Sequence, residues 1–131
     1  MKLIPYFLIL FFFISCNMAK YKNIIAPNSG KNWDVIKDGK RVYNKPAYCY
    51  YFGSDGSCFY YNYRIENGKL KKKLFDYGDV VYPNNWELKS DTLVIQGFNY
   101  LIKEINDANI IVVSLNKSAD TLRLTPSVLG L

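Results

Sequence analysis

The fold is decided by residues 86–105, which read WELKSDTLVIQGFNYLIKEI. Short runs of strand-forming residues are separated here by two turn dipeptides, Ser90-Asp91 and Gln96-Gly97. Gly accepts a positive φ angle without steric cost, and polar residues such as Asp favour turns, so dipeptides of this kind predict tight connections between strands. Leu93 and Ile95 alternate with their neighbours and would share one face of a strand. The stretch therefore predicts consecutive antiparallel strands joined by hairpin turns.

The same pattern continues over most of the chain. Runs rich in Val, Ile, Thr, Tyr and Phe alternate with Gly, Asn and Asp clusters from Trp33 onward, and no stretch shows a convincing helical period. Short connections predict antiparallel pairing of neighbours, and a meander removes its edges best by closing. We predict an all-β domain, an antiparallel meander closed or nearly closed into a small barrel, with an open sandwich as the alternative. The predicted strands are 33–37, 40–44, 47–53, 57–65, 69–76, 79–82, 86–88, 92–95, 98–105, 109–115 and 120–125.

The N-terminal segment predicts export and lipidation. Lys2 precedes an apolar run of about 12 residues, which suits a secretory signal and is shorter than the roughly 20 residues that span a bilayer. The run ends in Phe13-Ile14-Ser15-Cys16, which resembles the lipobox of bacterial lipoproteins, so Cys16 is the predicted lipidation site. An ordinary secretory cleavage and a retained anchor are the alternatives. We assign 1–15 to the signal peptide, 16–29 to the lipidated N-terminus and a polar tether, 30–126 to the β domain and 127–131 to a tail.

The composition excludes several classes of function. The 131-residue chain has no histidine and a net charge of +6. The absence of histidine excludes Ser-His-Asp and Cys-His catalysis and most zinc sites. No phosphate-binding glycine motif is present, and five Asp residues fall at predicted turns, namely Asp38, Asp55, Asp91, Asp107 and Asp120. We therefore expect no enzyme, no catalytic residues, no metal and no cofactor, and an exported protein is not expected to bind nucleic acid.

Two cysteines remain beyond the lipidation site. Cys49 and Cys58 flank the predicted turn at residues 53–56. If Phe52 lies opposite Ser57, Cys58 becomes a diagonal neighbour of Cys49 on the same face of the hairpin. An oxidising compartment favours a disulfide between them, whereas two buried thiols are the alternative.

Two further features point to binding. Aromatic residues crowd the predicted strands around the 53–56 turn, and some of Tyr48, Tyr50, Phe59 and Tyr61 could line a pocket for an amphiphile; alternatively they form the core. Residues 69–74, KLKKKL, form a basic strand. Its lysines either protect a sheet edge from aggregation or bind anionic lipid.

A family resemblance extends these predictions. The motifs that carry it are Trp86-Glu87-Leu88, Asp91-Thr92-Leu93-Val94-Ile95, Phe98-Asn99-Tyr100-Leu101-Ile102 and Asp120-Thr121-Leu122. They resemble the small lipocalin-like lipoproteins of Bacteroidota, which implies a lipocalin-like barrel and a lipid anchor. In enteric lipoproteins Asp after the lipidated cysteine retains the protein at the inner membrane, so Asn17 implies the outer membrane by analogy. Residues 17–20 lack the acidic stretch of surface-exported Bacteroidota lipoproteins, which favours the periplasmic face over the cell surface. The two Asp-Thr-Leu motifs also look like acceptors of periplasmic O-glycosylation at Thr92 and Thr121, although Thr after a turn Asp is ordinary strand chemistry.

Two functions follow from this sequence. The first is a lipid-anchored binding module for a small apolar or amphiphilic ligand. The second is a non-catalytic structural lipoprotein with a filled core that interacts with another envelope protein. A cavity above about 300 Å³ lined by aromatic residues would favour the first. A packed interior with an exposed aromatic patch would favour the second.

Overall fold

The computed structural model describes residues 17–37, 48–116 and 120–129. Within these ranges the protein is all-β apart from one short helix over residues 17–25. The strands are β1 (Lys31–Lys37), β2 (Tyr48–Phe52), β3 (Cys58–Glu66), β4 (Lys69–Leu74), β5 (Trp86–Lys89), β6 (Thr92–Ile95), β7 (Phe98–Ile105), β8 (Ile110–Ser114) and β9 (Thr121–Pro126).

All nine strands belong to one antiparallel sheet in the order β4-β3-β2-β1-β9-β8-β7-β6-β5. The meander is confirmed, but the sheet is not closed into a barrel, because β4 and β5 are its two edges and do not pair with each other. The segment 75–85 joins these edges and contains no described strand, so the predicted strand 79–82 is wrong. Gly78 has a positive φ of 68°, and its N–H bonds the Asp76 carboxylate at 2.8 Å, which turns the chain away from a ladder. Pro83 adds a residue with no N–H to donate.

The other strand predictions agree with the structure in position, except that 40–44 lies outside the described residues. The turn chemistry explains this agreement. Gln96-Gly97 and Asn67-Gly68 both adopt positive φ angles and form two-residue connections between strands. Such turns match the twist of the strands they connect. They therefore fix the local hairpins that the sequence predicts.

Alternation along the strands sorts the side chains onto two faces. The inner face carries most of the core, which is why its strands show buried residues at every second position. Leu93 and Ile95 are both buried there, as predicted. The largest buried side chains of this face, together with Ile25 from the helix, are Trp33, Phe52, Leu93, Ile95, Ile110, Val112 and Leu124. The opposite face is called the outer face below.

The helix over residues 17–25 departs from the prediction that no stretch is helical, and it lies in the segment assigned to the polar tether. Ile25 is fully buried, and the Trp33 indole N–H donates to its carbonyl oxygen at 2.9 Å. Met18, Tyr21 and Ile24 also pack against the core. These apolar residues recur at helical spacing, but a helix of little more than two turns gains most of its stability from tertiary packing, which local sequence does not reveal. None of the described helical residues makes a segment long and apolar enough to cross a membrane.

Candidate functional site

A chain of touching aromatic rings crosses the open side of the sheet. We call it the aromatic seam, and it consists of Tyr48, Tyr60, Phe75, Tyr77, Tyr82 and Phe98. Successive ring centroids lie 5.4, 5.2, 4.9, 4.7 and 5.3 Å apart. The seam begins on β2 and β3, follows the 75–85 segment and ends on β7. Apart from an isolated backbone bridge between Ser57 and Asn85, the described residues show these side-chain contacts, rather than a backbone ladder, across the open side of the sheet.

The seam is continuous with the core and with the surface. Inward, the Tyr50 ring contacts those of Tyr60 and Phe52 in tilted geometry at centroid distances of 4.5 and 5.7 Å, and Phe52 meets Trp86 edge-on at 5.8 Å. Outward, its terminal residues Tyr48 and Phe98 are exposed. Val80 and Val81 project beside it in the 75–85 segment, and Val81 is 92% exposed. The seam therefore forms an apolar surface with a buried foundation.

The phenols of this region are suited to hydrogen bonding rather than to acid–base chemistry. Burial raises the pKa of Tyr50 and of Tyr60 well above the ordinary value of 10.0, and nearby phenols raise both further. The pKa of Tyr77 is also raised by burial, and its neutral hydroxyl donates to the buried Gln96 amide oxygen at 2.8 Å. All three phenols are consequently neutral near pH 7.

The structure separates the four predicted pocket residues. Tyr48 and Tyr50 lie on the inner face, whereas Phe59 and Tyr61 lie on the outer face, where Phe59 meets the Tyr51 ring at 6.5 Å. The cause is the register, which pairs Phe52 with Cys58 rather than with Ser57. A one-residue shift moves every side chain of a strand to the other face. Tyr60, which the sequence argument did not select, lies on the inner face beside Tyr48 and Tyr50, where Phe59 and Tyr61 were expected.

The same register separates the cysteines. Cys49 lies on the outer face and Cys58 on the inner face, and both are buried free thiols. The disulfide considered above is therefore not formed, and the alternative of two buried thiols describes the structure. Burial raises the pKa of Cys58 to about 12 and also raises that of Cys49. Neither thiol is poised as a nucleophile, because the thiolate is the reactive form.

A pocket of about 250 Å³ lies between the helix and β5. Ala26, Trp86 and Leu88 supply its apolar wall, and the charged residues of its lining are Lys22, Asp55 and Glu87. The Trp86 indole donates to the Gly53 carbonyl oxygen at 2.8 Å, which fixes β5 against the β2–β3 turn. The pocket is smaller than the cavity expected for a ligand carrier, and none of the four predicted tyrosine and phenylalanine residues lines it.

Sequence reasoning missed a buried polar cluster on the outer face. The Asp34 carboxylate is only 2% exposed and accepts hydrogen bonds from the Tyr63 hydroxyl and, at 3.0 Å, from the Val128 N–H. The Tyr63 oxygen also bonds the Ser127 hydroxyl at 2.9 Å. Next to it, Asn32 accepts from the Lys72 ammonium at 2.9 Å. Alternation of Asn32 and Asp34 with buried Trp33 is the only local signal, and it does not reveal that the C-terminal residues cover them.

The remaining predicted sites are placed as follows. Cys16 lies outside the described residues, immediately before the packed helix. Thr92 and Thr121 begin β6 and β9, and ladder pairing through Leu101 and Val113 puts them in one row of the outer face. Thr121 is exposed, whereas Thr92 is partly buried and donates to the Asp91 carboxylate at 3.3 Å. Their glycosylation stays a prediction.

Comparisons with known proteins give no information about this site. Among the described residues no group of three or more His, Cys, Asp or Glu side chains could hold a metal ion. No protein-family model matches the chain, and neither a curated protein nor a solved structure is significantly similar to it. What the site can do is therefore argued from the aromatic seam, the pocket and the charges alone.

Proposed function

We propose that the protein is a lipid-anchored lipoprotein of the bacterial outer membrane, facing the periplasm, whose filled β domain is a non-catalytic interaction module for another envelope protein. The observation that carries the interaction role is the aromatic seam. Its rings fill the open side of the sheet from within and reach the surface beside Val80 and Val81. Exposed apolar surface of this kind marks interaction sites, and aromatic residues dominate binding energy at protein interfaces.

The anchor is tested at Cys16. In host cells fed an alkyne fatty acid, the wild-type chain should take up the label, and Cys16→Ala should lose it and keep its N-terminal segment. Cys58→Ala is the matched control, because Cys58 is a buried thiol within the sheet. Equal labelling of Cys16→Ala and wild type would refute the lipid anchor.

The interaction surface is tested at Val81. A photo-crosslinking amino acid placed there in the host should give a discrete adduct of higher mass, because this side chain stands free of the domain. The same residue placed at the exposed Lys89 on the outer face serves as the control. Adducts of equal yield at both positions, or at neither, would contradict a partner at the aromatic seam.

The pocket between the helix and β5 supports a second candidate function, which is binding of a small amphiphile. Its apolar wall of Ala26, Trp86 and Leu88 would contact an acyl chain, and the charged residues of its lining would contact a polar headgroup. Native mass spectrometry of the protein purified from its host should then show a co-purifying lipid that Leu88→Asn removes while the circular dichroism spectrum is preserved. Protein free of any bound lipid would leave the filled interaction module as the function.

A further inference from the structure

We infer that the β3–β4 hairpin is a membrane-contact element, and that its ligand is the anionic headgroup surface of a lipid bilayer. This inference extends the proposed lipid anchor by a second contact that does not depend on the acyl chain. The hairpin joins Cys58–Glu66 to Lys69–Leu74 through the tight Asn67-Gly68 turn. Because β4 is an edge of the sheet, one side of the hairpin is open to a partner.

The far end of the hairpin projects beyond the rest of the sheet. Among the described residues the pairing of β2 with β3 ends at Tyr48 opposite Asn62. The β3–β4 pairing continues for four more residues, to Glu66 opposite Lys69. Within the described part of the chain, residues 63–66 and 69–72 thus form a two-stranded ribbon with no third strand paired to it.

One face of this ribbon is basic. Lys73, Lys71 and Lys69 alternate along β4 and lie opposite Asn62, Arg64 and Glu66. All three lysines are exposed, and the one ion pair that Lys71 forms with Glu66 is long, at 3.7 Å, and open to solvent. Counting Lys72, the hairpin carries five basic side chains and a single acid, which accounts for most of the net charge of +6 of the chain. Solvated lysines of this density are attracted to anionic membranes.

The other face of the hairpin carries exposed apolar residues on both sides of its central Tyr63–Lys72 pair. Ile65 lies directly opposite Leu70, and Tyr61 lies opposite Leu74. Ile65 is 62% exposed and Leu74 is 56% exposed. An element with basic residues on one face and exposed apolar residues on the other is typical of segments that lie in the headgroup region. Edge protection alone would explain the lysines, but it gives no reason for exposed apolar residues on the same hairpin.

The base of the hairpin is held rigidly. Tyr63 lies opposite Lys72, between the two apolar pairs just described. Both side chains reach β1, because Tyr63 donates to the Asp34 carboxylate and Lys72 donates to the Asn32 amide oxygen. The Lys72 ammonium also stands 4.7 Å above the Tyr61 ring. The ribbon is consequently presented in one orientation, so little conformational freedom would be lost on binding.

The test uses the full chain reconstituted into vesicles that contain a photoactivatable diazirine phospholipid. One set is phosphatidylcholine, and the other is an equal mixture of phosphatidylcholine and phosphatidylglycerol. After irradiation, peptide mapping locates the lipid adducts. We expect adducts on residues 63–74 in the mixed vesicles and far fewer in phosphatidylcholine. Each lysine near an anionic surface contributes about a fivefold preference, so Lys69→Gln, Lys71→Gln and Lys73→Gln combined should lower the yield of adducts by about a hundredfold.

The charge-matched control combines Lys89→Gln, Lys103→Gln and Arg123→Gln, three exposed positions outside the hairpin, and should retain the adducts. Circular dichroism establishes that both triple variants are folded. Equal labelling of residues 63–74 in the two kinds of vesicle, equal loss in the two triple variants, or adducts confined to other segments would overturn the inference. The intact mass of the same sample reports acylation of Cys16. An acylated chain with an unlabelled hairpin therefore contradicts only this inference, and a labelled hairpin on an unacylated chain contradicts only the anchor.

Discussion

Asp34 shows how a single buried carboxylate is accommodated in a strand. Its two oxygens are bonded by Tyr63 and by the Val128 N–H, so the charge is compensated by hydrogen bonds rather than by an ion pair. Burying a charge without such partners is very costly. The bonds also hold the chain end on the outer face, since Val128 follows the last residue of β9 by only two positions.

We predict that Asp34→Ala lowers the free energy of unfolding by roughly 1–3 kcal/mol, because the Val128 N–H and the Tyr63 hydroxyl both lose their acceptor in the Asp34 carboxylate. Urea denaturation followed by tryptophan fluorescence measures this difference. Asp107→Ala, in the exposed Asn106–Asn109 turn, is the control and should change stability little. Similar destabilisation by both substitutions would show that Asp34 has no special structural role.

The two thiols give a second prediction for single residues. Because burial raises the pKa of Cys58 from 9.0 to about 12, its thiol stays neutral in the folded protein while the unfolded thiol ionises above pH 9. The stability that this thiol contributes is therefore complete below pH 9 and is lost as the pH rises from 9 towards 12. Iodoacetamide at pH 8 should modify Cys49 and Cys58 slowly in native protein and rapidly in urea. Rapid modification of native Cys58 would contradict its burial, and resistance in urea without reductant would indicate a disulfide.

At the scale of the elements, the helix over residues 17–25 is stabilised by what it covers. Ile25 is fully buried and its carbonyl oxygen accepts the Trp33 indole N–H. We predict that Ile25→Ala costs about 2–5 kcal/mol in unfolding free energy, as removal of a large buried side chain does. Asn23→Ala, at an exposed position of the same helix, is the control and should change stability little. Urea denaturation measures the free energy of unfolding of both variants. Equal effects would mean that the helix does not pack as described.

The strands were predictable from sequence because their turns are local. Asn67-Gly68 and Gln96-Gly97 adopt positive φ angles that few other dipeptides accept. The hairpins beside them can therefore be predicted from a stretch of four or five residues. The 53–57 connection was not predictable to the residue. It contains Gly53, Asp55 and Gly56, all turn formers, and a choice between Ser57 and Cys58 as the partner of Phe52 decides which aromatic residues face inward.

At the scale of the whole molecule, the meander follows from the sequence but its openness does not. Closure depends on whether β4 and β5 meet, and these strands are joined by residues 75–85, whose Val80, Val81 and Tyr82 look like a strand in sequence. In the structure Tyr82 instead belongs to the aromatic seam, and Val80 and Val81 lie at the surface. The candidate site was therefore predictable as a concentration of aromatic residues around β2 and β3. Its continuation through Phe75, Tyr77 and Tyr82 depends on tertiary contacts between distant segments.

The buried phenols predict how the whole domain responds to alkaline conditions. Burial raises the pKa of Tyr50, Tyr60, Tyr63 and Tyr100 above the ordinary 10.0. Below about pH 10 these groups are neutral in both the folded and the unfolded chain, and their stabilising contribution is complete. Above that pH the unfolded chain releases protons that the folded chain retains, so unfolding becomes more favourable with each increment of pH.

We therefore expect the urea midpoint to fall steeply above pH 10, together with the rise of tyrosinate absorbance that reports unfolding. Tyr60→Phe should flatten this dependence, because it removes one of the groups that ionise only on unfolding while it keeps the ring contacts with Tyr48 and Phe75. At low pH the stability depends on Asp55 in the opposite direction. Hydrogen bonds from the Ser57 hydroxyl and N–H lower the pKa of Asp55 below 3.8. Its contribution to stability is therefore present above pH 3.8 and is lost as the pH falls below that value. A midpoint that does not change between pH 8 and pH 11 would contradict the burial of the tyrosines and, with it, the filled interior on which the proposed function depends.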